Sequence, residues 1–174
     1  MIAAVILSCT IVAIPDGDGL HARCPEPLAP IAAVCLRQLA GPARAKCASR
    51  HPALDLRIRK ADAPEIAHPG LHIPLQPYGP EAQANLAALC YGKPATVQIV
   101  GRSFDRYVAN VACDGVDVAT AQISAGFAWA WHPAKHSPLR AVEAQARAAG
   151  LGLWGAAVPA VPPWDWRKAG KMAK

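Results

Sequence analysis

The chain has 174 residues, of which 53% are hydrophobic and 17% charged, as is typical of one compact domain. Its 17 prolines and 13 glycines recur with no fixed period, which excludes collagen, solenoid and coiled-coil architectures. The formal net charge of +6 favours an anionic partner such as a nucleic acid, although the same balance also serves solubility alone in many proteins.

An apolar stretch runs from Met1 to Ile14 at the start of the chain. It is shorter than the roughly 18 residues that a membrane-spanning helix needs, so we expect no membrane segment. No Lys or Arg precedes Arg23, which argues against a signal peptide because signal peptides begin with a basic region. The β-branched residues within 9–14 instead predict a first β-strand close to the N-terminus.

Residues 15–19 read Pro-Asp-Gly-Asp-Gly, a dense turn signal, and residues 20–24 predict the second strand of a hairpin. Cys9 and Cys24 are equidistant from the centre of this turn. They should therefore face each other across the hairpin, which favours a cross-strand disulfide. The alternative is that all six cysteines of the chain are reduced and buried, as free cysteines often are.

The rest of the chain predicts a small barrel of the α+β class. Five short strands without β-α-β alternation are typical of a closed β-barrel with attached helices. Residues 25–53, rich in Ala and Pro, predict an inserted helical excursion. The basic, proline-rich tail, 156–174, is expected to pack against the barrel through Trp164 and Trp166. The later strands are predicted over 54–59, 95–100 and 107–113, and the three helices over 80–92, 117–126 and 139–149.

Acidic and arginine side chains recur at the predicted strand ends. Carboxylates together with a backbone carbonyl are the ligands that a hard divalent cation prefers, and arginine forks suit a phosphate. The combination predicts metal-assisted phosphodiester chemistry. Taken alone, the Asp-Gly-Asp of residues 16–18 is more often only a turn. The candidate side chains are Asp16, Asp18, Arg57, Asp62, Glu65 and Arg106.

The order of these pieces resembles the staphylococcal nuclease (thermonuclease) family over nearly the whole chain. Residues 14–18 resemble the family's first-turn motif, and residues 57–65 follow its R-x4-D-x-P-E pattern. The remaining matches are the family's helix entry at 78–82, the His-Pro at 68–69, the turn at 113–115, a helix end at 126–128, the last helix at 139–154, and a tail at 163–167 that is similar to secreted proteobacterial members.

The resemblance implies a five-stranded OB-fold β-barrel with three attached helices over residues 8–155, interrupted by the insertion 25–53 and followed by the tail 156–174. It also implies a monomeric Ca²⁺-dependent endonuclease that hydrolyses DNA and RNA, preferably single-stranded, with little sequence preference. By position in the family motif, Asp18, Asp62 and the backbone carbonyl of Ala63 would hold the Ca²⁺ ion.

The resemblance also assigns catalytic roles. Glu65 would orient or deprotonate the attacking water as general base, and Arg57 and Arg106 would clamp the phosphate and stabilise the transition state. Asp16 would orient the site without binding the ion. Cleavage would fall on the 5′ oxygen side, as in that family.

Two departures from the family keep a second function open. Gly19 replaces the usual threonine, which removes a hydroxyl and loosens the turn. The family's D-R-Y-G-R stretch has two possible registers. In the first register, the family motif is aligned backward from Asp114-Gly115 without a gap, and Arg106 then occupies the position of the family's catalytic arginine. In the second register, residues 105–107 are aligned with the first three letters, D-R-Y, and the catalytic arginine then has no counterpart. We favour the gapless register because a strand slip inverts every side chain. The alternative function is a catalytically weak or inactive OB-fold that binds nucleic acid or protein.

The remaining cysteines are paired by the same resemblance. In the family's barrel the elements that carry Cys90 and Cys113 pack together, which implies a second disulfide and leaves Cys35 and Cys47 for a third. Disulfides persist in oxidising compartments, so we expect a periplasmic or secreted protein. The missing signal peptide keeps a cytoplasmic location as the alternative.

Overall fold

The computed structural model describes residues 5–24, 53–67, 73–155 and 159–172. The predicted excursion 25–53, apart from the first residue of a strand, and the His-Pro motif at 68–69 lie outside these residues. The described strands are β1 Val5–Ala13, β2 Gly19–Arg23, β3 Ala53–Ile58, β4 Ala61–Asp62, β5 Pro94–Ser103, β6 Arg106–Cys113, β7 Val116–Asp117 and β8 Trp129–Ala130. The α-helices are α1 Gly79–Cys90, α2 Val118–Ser124, α3 Leu139–Ala148 and α4 Pro163–Met172.

Five strands close into a mixed β-barrel, which confirms the predicted α+β OB-fold. The neighbours β3, β2, β1, β5 and β6 pair antiparallel in that order. A parallel pairing of β3 with β6, in which Leu56 lies opposite Tyr107, closes the cylinder. Closure leaves no exposed edge among these five strands. It also brings the last residues of β1, the last residues of β3 and the first residues of β6 to one rim.

The barrel interior is filled by aliphatic side chains from alternate positions of each strand. Along β6 every second residue is buried, as expected for a strand with one face toward a core. Burial of each such aliphatic side chain contributes roughly 1.5–3 kcal/mol. The fully buried members include Ile11, Leu20, Leu56, Ile58 and Val97, with Leu86 of α1 and Ile123 of α2 covering one end.

Two disulfides tie the barrel together. The Cys9–Cys24 bond confirms the predicted pairing, and the β1–β2 register, with Thr10 opposite Arg23, places those cysteines across from each other. The second bond, Cys90–Cys113, joins the end of α1 to the end of β6, also as predicted. Its 23-residue separation contributes about 3 kcal/mol to stability by the chain-entropy estimate. The predicted Cys35–Cys47 bond lies outside the described residues.

Three features differ from or add to the sequence-based prediction. Strand β1 begins at Val5, four residues before the predicted run, because its first residues pair with the middle of β5, with Val5 opposite Ile99. A small extra sheet forms from β4 and β8. The tail contains a fourth helix, α4, which the sequence analysis did not predict. This helix begins at Pro163, and proline is compatible with the first position of a helix. No described helix is long and apolar enough to span a membrane.

Candidate active site

The loop between β1 and β2 places Asp16 and Asp18 at the rim of the barrel. The backbone N–H of Asp18 donates to Asp16 Oδ1 at 3.0 Å, which closes the turn on itself. The fully buried Gln122 of α2 donates from Nε2 to the carbonyl oxygens of Gly17, at 2.8 Å, and Ala82, at 3.1 Å. One buried amide therefore joins the loop to α1 and fixes the position of both carboxylates.

Close packing requires a glycine at position 17. A Cβ on Gly17 would lie 2.7 Å from the Cβ of Ala63 and 2.8 Å from that of Ala82. A Cβ on Gly19 would lie 2.6 Å from Asp16 Oδ1, which is the end of a flexible side chain. That Gly19 loosens the turn stays a prediction.

Asp18, Asp62 and Arg57 converge beside this loop, as predicted. Asp62 lies in β4, and both acids are buried, with exposed fractions of 5% for Asp18 and 2% for Asp62. Arg57 reaches from β3 and bridges them through Nη2, at 3.1 Å from Asp18 Oδ2 and 2.9 Å from Asp62 Oδ1. The backbone N–H of Ala63 donates to Asp18 Oδ2 at 3.3 Å. Asp18 and Asp62, the two carboxylates of the predicted ligand set, thus lie close together although they come from two distant segments. Their role as metal ligands stays a prediction.

Burial strongly disfavours the charged form of Asp18. Desolvation, reinforced by the negative charges of Asp16 and Asp62, raises the pKa of Asp18 to about 7, against the opposing effects of Arg57 and Arg106. In turn, the Asp18 charge raises the pKa of the Arg57 guanidinium above its ordinary value. The site therefore concentrates more negative charge than these two arginines neutralise.

Arg106 lies at the same rim, at the start of β6. Its Nη1 atom is 3.5 Å from Asp16 Oδ2. The β5–β6 ladder runs unbroken from the pair Ser103–Arg106 to its one irregularity between Ile99 and Gly101. This placement puts a second arginine of the predicted constellation within reach of the Asp-Gly-Asp loop. The catalytic role of Arg106 stays a prediction.

Arg167 of helix α4 enters the same site and was missed by the sequence reasoning. Its Nη1 and Nη2 atoms donate to Asp62 Oδ1 at 3.0 Å and Oδ2 at 2.8 Å, and Nη1 also donates to Glu65 Oε1. Burial lowers the pKa of Arg167, but the hydrogen bonds and charges of Asp62 and Glu65 outweigh that effect and raise it above its ordinary value. The available signal was the Trp-Asp-Trp-Arg sequence in a tail already expected to pack on the barrel.

Polar and aromatic contacts anchor α4 beside the site. Gln76 donates from Nε2 to the carbonyl oxygen of Val161 at 2.6 Å and accepts from the backbone N–H of Glu65 at 3.0 Å. The Trp166 indole donates to the carbonyl oxygen of Pro74 at 3.0 Å. Trp164 packs edge-on against Trp129, with ring centroids 6.4 Å apart, which confirms the predicted docking of the tail. Gln76 thus connects the Glu65 backbone to the segment that carries Arg167.

The comparison with protein families decides the classification. Residues 55–156, more than half of the chain, match the family model described as staphylococcal nuclease homologue. The chain belongs to the staphylococcal nuclease family. A probable staphylococcal-like nuclease of Oryza sativa subsp. japonica is 35% identical over 115 residues, which are 65% of this chain and 32% of the rice protein. A staphylococcal-like nuclease of Arabidopsis thaliana is 30% identical over 65% of this chain and 33% of its own length.

A bacterial relative has a more similar length. An uncharacterized endonuclease of Escherichia coli is 34% identical over 118 residues, 66% of this chain and 71% of that protein. By contrast, the chain spans about a third of the length of the plant relatives.

The donor atoms at the site fit a hard divalent cation of the kind this family uses. Among the described residues no group of three or more His, Cys, Asp or Glu side chains is arranged to hold a metal ion. The ligand set that the resemblance implies is instead two carboxylates, Asp18 and Asp62, and the backbone carbonyl of Ala63, all of which would be oxygen donors. A divalent cation there would favour the ionised form of Asp18, which burial and, to a lesser extent, the neighbouring acids disfavour.

We expect the variant Asp18→Asn to be more stable than the parent at neutral pH in EDTA. A folded-state pKa of about 7 against an ordinary value of 3.8 means that stability is lost as the pH rises between these values. Removing the ionisable group should raise the free energy of unfolding at pH 8 by up to about 4 kcal/mol. Urea denaturation at pH 8 and pH 4 measures the effect, which should nearly vanish at pH 4.

The exposed Asp105 supplies the matched control. Asp105→Asn removes the same charge from the β5–β6 turn and should change the unfolding free energy by less than about 0.5 kcal/mol at either pH. An Asp18→Asn variant that is less stable than the parent at pH 8 would contradict the expectation.

Proposed function

We propose that the chain is a Ca²⁺-dependent nuclease that hydrolyses phosphodiester bonds of DNA and RNA with little sequence preference. The main observation in support is that two buried carboxylates, Asp18 and Asp62, lie together with Arg57 at one rim of the barrel, in a chain of this family. Glu65 lies next to that cluster and shares a guanidinium partner with Asp62. The names of the rice and Arabidopsis relatives also support a nuclease.

Each group has a defined task in this proposal. Asp18, Asp62 and the Ala63 carbonyl would hold Ca²⁺, which supplies positive charge that polarises the phosphate when it is bound. Glu65, half-buried at the edge of the site, accepts a proton from water on a carboxylate oxygen while the water attacks phosphorus. The bond from phosphorus to the 5′ oxygen then breaks.

The arginines bind the phosphate. The contacts of Arg57 to both acids use its Nη2 atom, and a guanidinium has five N–H donors, so the others are suited to non-bridging phosphate oxygens. Arg106 completes the clamp from the far side of Asp16. Two guanidinium groups in a partly desolvated site stabilise the charge that builds up on the phosphate in the transition state.

Recognition through phosphate accounts for tolerance of sequence, because phosphate contacts carry no base information. Phe104, in the β5–β6 turn two residues before Arg106, is 97% exposed. An exposed aromatic ring beside a phosphate-binding arginine is suited to stacking on an unpaired base, which supports a preference for single-stranded substrates.

Digestion of a fluorogenic single-stranded oligonucleotide tests the proposal directly. We expect cleavage in Ca²⁺, little or none in EDTA, and slower cleavage of the same sequence as a duplex. DNA and RNA versions of the oligonucleotide measure the sugar preference. Undiminished cleavage in EDTA, or none at any Ca²⁺ concentration, would sink the proposal.

A second candidate is an OB-fold that binds nucleic acid without cleaving it. One observation favours it, namely that Arg167 contacts both Glu65 and Asp62 and so engages the groups that cleavage needs. This candidate predicts binding that weakens steeply with salt, because phosphate contacts release counterions, and no turnover in Ca²⁺.

The two disulfides support an extracytoplasmic location, because cytosolic reductants keep most thiols reduced. We propose a periplasmic or secreted monomer. Thiol counting on protein taken from periplasmic and cytoplasmic fractions tests this location.

A further inference from the structure

Helix α4 places a positive charge where the proposed chemistry needs a cation and a water. Arg167 donates hydrogen bonds to both carboxylate oxygens of Asp62, and it also donates one to Glu65 Oε1. Asp62 is assigned above to the metal and Glu65 to the water. A single guanidinium from the tail thus engages one member of each of the two functional sets.

The acceptor sites of Asp62 are largely used by arginine. Oδ1 accepts from Arg57 Nη2 at 2.9 Å and from Arg167 Nη1 at 3.0 Å, and Oδ2 accepts from Arg167 Nη2 at 2.8 Å. A carboxylate oxygen offers about two lone pairs, so Oδ1 is saturated. A cation that binds Asp62 directly through Oδ1 must therefore displace one of these guanidinium donors.

The charge balance points to Arg167 as the group displaced. Around the loop stand four carboxylates, Asp16, Asp18, Asp62 and Glu65, and two arginines from barrel strands, Arg57 and Arg106. This set has an excess of two negative charges when all are ionised, which matches one divalent cation. Arg167 supplies part of that positive charge when no cation is bound. It comes from a separate helix, whereas Arg57 belongs to the barrel itself, so Arg167 is the guanidinium that the cation would displace.

The anchoring of α4 determines how strongly Arg167 competes. The helix holds the barrel through the Trp166–Pro74 hydrogen bond, the Gln76–Val161 hydrogen bond and the packing of Trp164 on Trp129 and His132. These contacts keep the guanidinium close to the acids, at a high effective concentration. Weakening the anchor should therefore act in the same direction as removing the guanidinium.

We propose that α4 is an autoinhibitory helix: Arg167 occupies Asp62 and Glu65 in the resting protein, and a divalent cation must displace it to complete the site. The inference rests on the proposed function, because it presupposes that Asp62 binds the cation. It predicts that Arg167 lowers the affinity for the cation, whereas an arginine that serves only to bind substrate phosphate or to position Glu65 would leave that affinity unchanged or raise it.

Calorimetric titration of the full chain with Ca²⁺, without any substrate, tests the inference. We expect Arg167→Gln to bind Ca²⁺ about tenfold more tightly than the parent, since a nearby positive charge and its fork are both lost. Arg167→Lys should bind with intermediate affinity, because it keeps the charge but cannot grip both oxygens. Thermal unfolding in EDTA checks that each variant is folded.

Two further variants separate the helix from a general charge effect. Lys168→Gln removes the same charge from the next residue of α4, whose side chain is 74% exposed and pairs with Asp165, and it should change the affinity less than twofold. Trp166→Phe loses the hydrogen bond to Pro74 and part of the ring's packing surface, which weakens the anchor, and it should tighten Ca²⁺ binding about threefold.

The outcomes are distinct. Tighter binding by Arg167→Gln with no change in Lys168→Gln supports autoinhibition. Equal or weaker binding by Arg167→Gln overturns it, and a parallel loss of cleavage at saturating Ca²⁺ would identify Arg167 as a substrate-binding or positioning residue while the nuclease proposal stands. Absence of Ca²⁺ binding in every folded variant overturns both proposals.

Discussion

Glu65→Gln should lower the kcat for oligonucleotide cleavage about 1000-fold at saturating Ca²⁺, within the range typical of a lost general base. The amide has nearly the same shape as the carboxylate, and its oxygen can still accept the hydrogen bond from Arg167. It cannot accept a proton from water near neutral pH. Single-turnover cleavage of a labelled single-stranded oligonucleotide measures the rate, and fluorescence anisotropy measures binding, which should change little.

The matched control is Glu81→Gln. Glu81 is exposed in the first turn of α1, so the same chemical change there should leave the rate within about twofold. Loss of cleavage with retained binding in Glu65→Gln supports the enzyme. No effect of Glu65→Gln on either binding or turnover would favour the binding module.

Arg57→Lys is expected to lower kcat about 100-fold or more, because a lysine keeps the positive charge but loses the planar fork. Arg57 bridges Asp18 and Asp62 through Nη2, which leaves its other N–H donors for the proposed phosphate. Lysine can still neutralise one acid, so the loss of stability should be small. Arg57→Ala removes the arginine partner of the buried Asp18 and leaves Asp62 with Arg167 alone, and it should lower the free energy of unfolding by about 3 kcal/mol.

The chain offers a close control in Arg59, two residues later and exposed in the turn after β3. Arg59→Lys removes the same fork without contact to the acids and should leave kcat and stability within error of the parent. A rate for Arg57→Lys equal to that for Arg59→Lys would show that the Arg57 guanidinium does not contact the reacting phosphate.

Local patterns were sufficient to predict the hairpin and the order of the site residues. The turn at 15–19 determines the β1–β2 register because hairpin pairing is symmetric about its turn, which is why Cys9 and Cys24 could be paired from the sequence. The sequence predicted Arg57 on the third strand and Asp62 on the loop that follows it, and the structure has Arg57 in β3 and Asp62 in the two-residue strand β4. The resemblance to the family supplied what spacing could not, namely that Asp18 meets Asp62.

Contacts between segments far apart in the chain were not predictable from such patterns. The short β4–β8 sheet has two residues per strand, too few for any periodicity, and it forms only because the surrounding elements bring Asp62 to Trp129. Gln122 looks like an ordinary polar residue of a helix until the fold buries it against the carbonyl of Gly17, 105 residues away.

By itself, the sequence determined the barrel, the hairpin disulfide and the identity of the acids and arginines at the rim, because strand periodicity, turn chemistry and motif spacing are local properties. Only the tertiary structure decided that the tail continues as helix α4 and that Arg167 lies on Glu65, 102 residues earlier in the chain. The physical reason is that the direction of Arg167 depends on how Trp164 and Trp166 dock α4 against the barrel, and that packing has no signature in the residues of the tail alone.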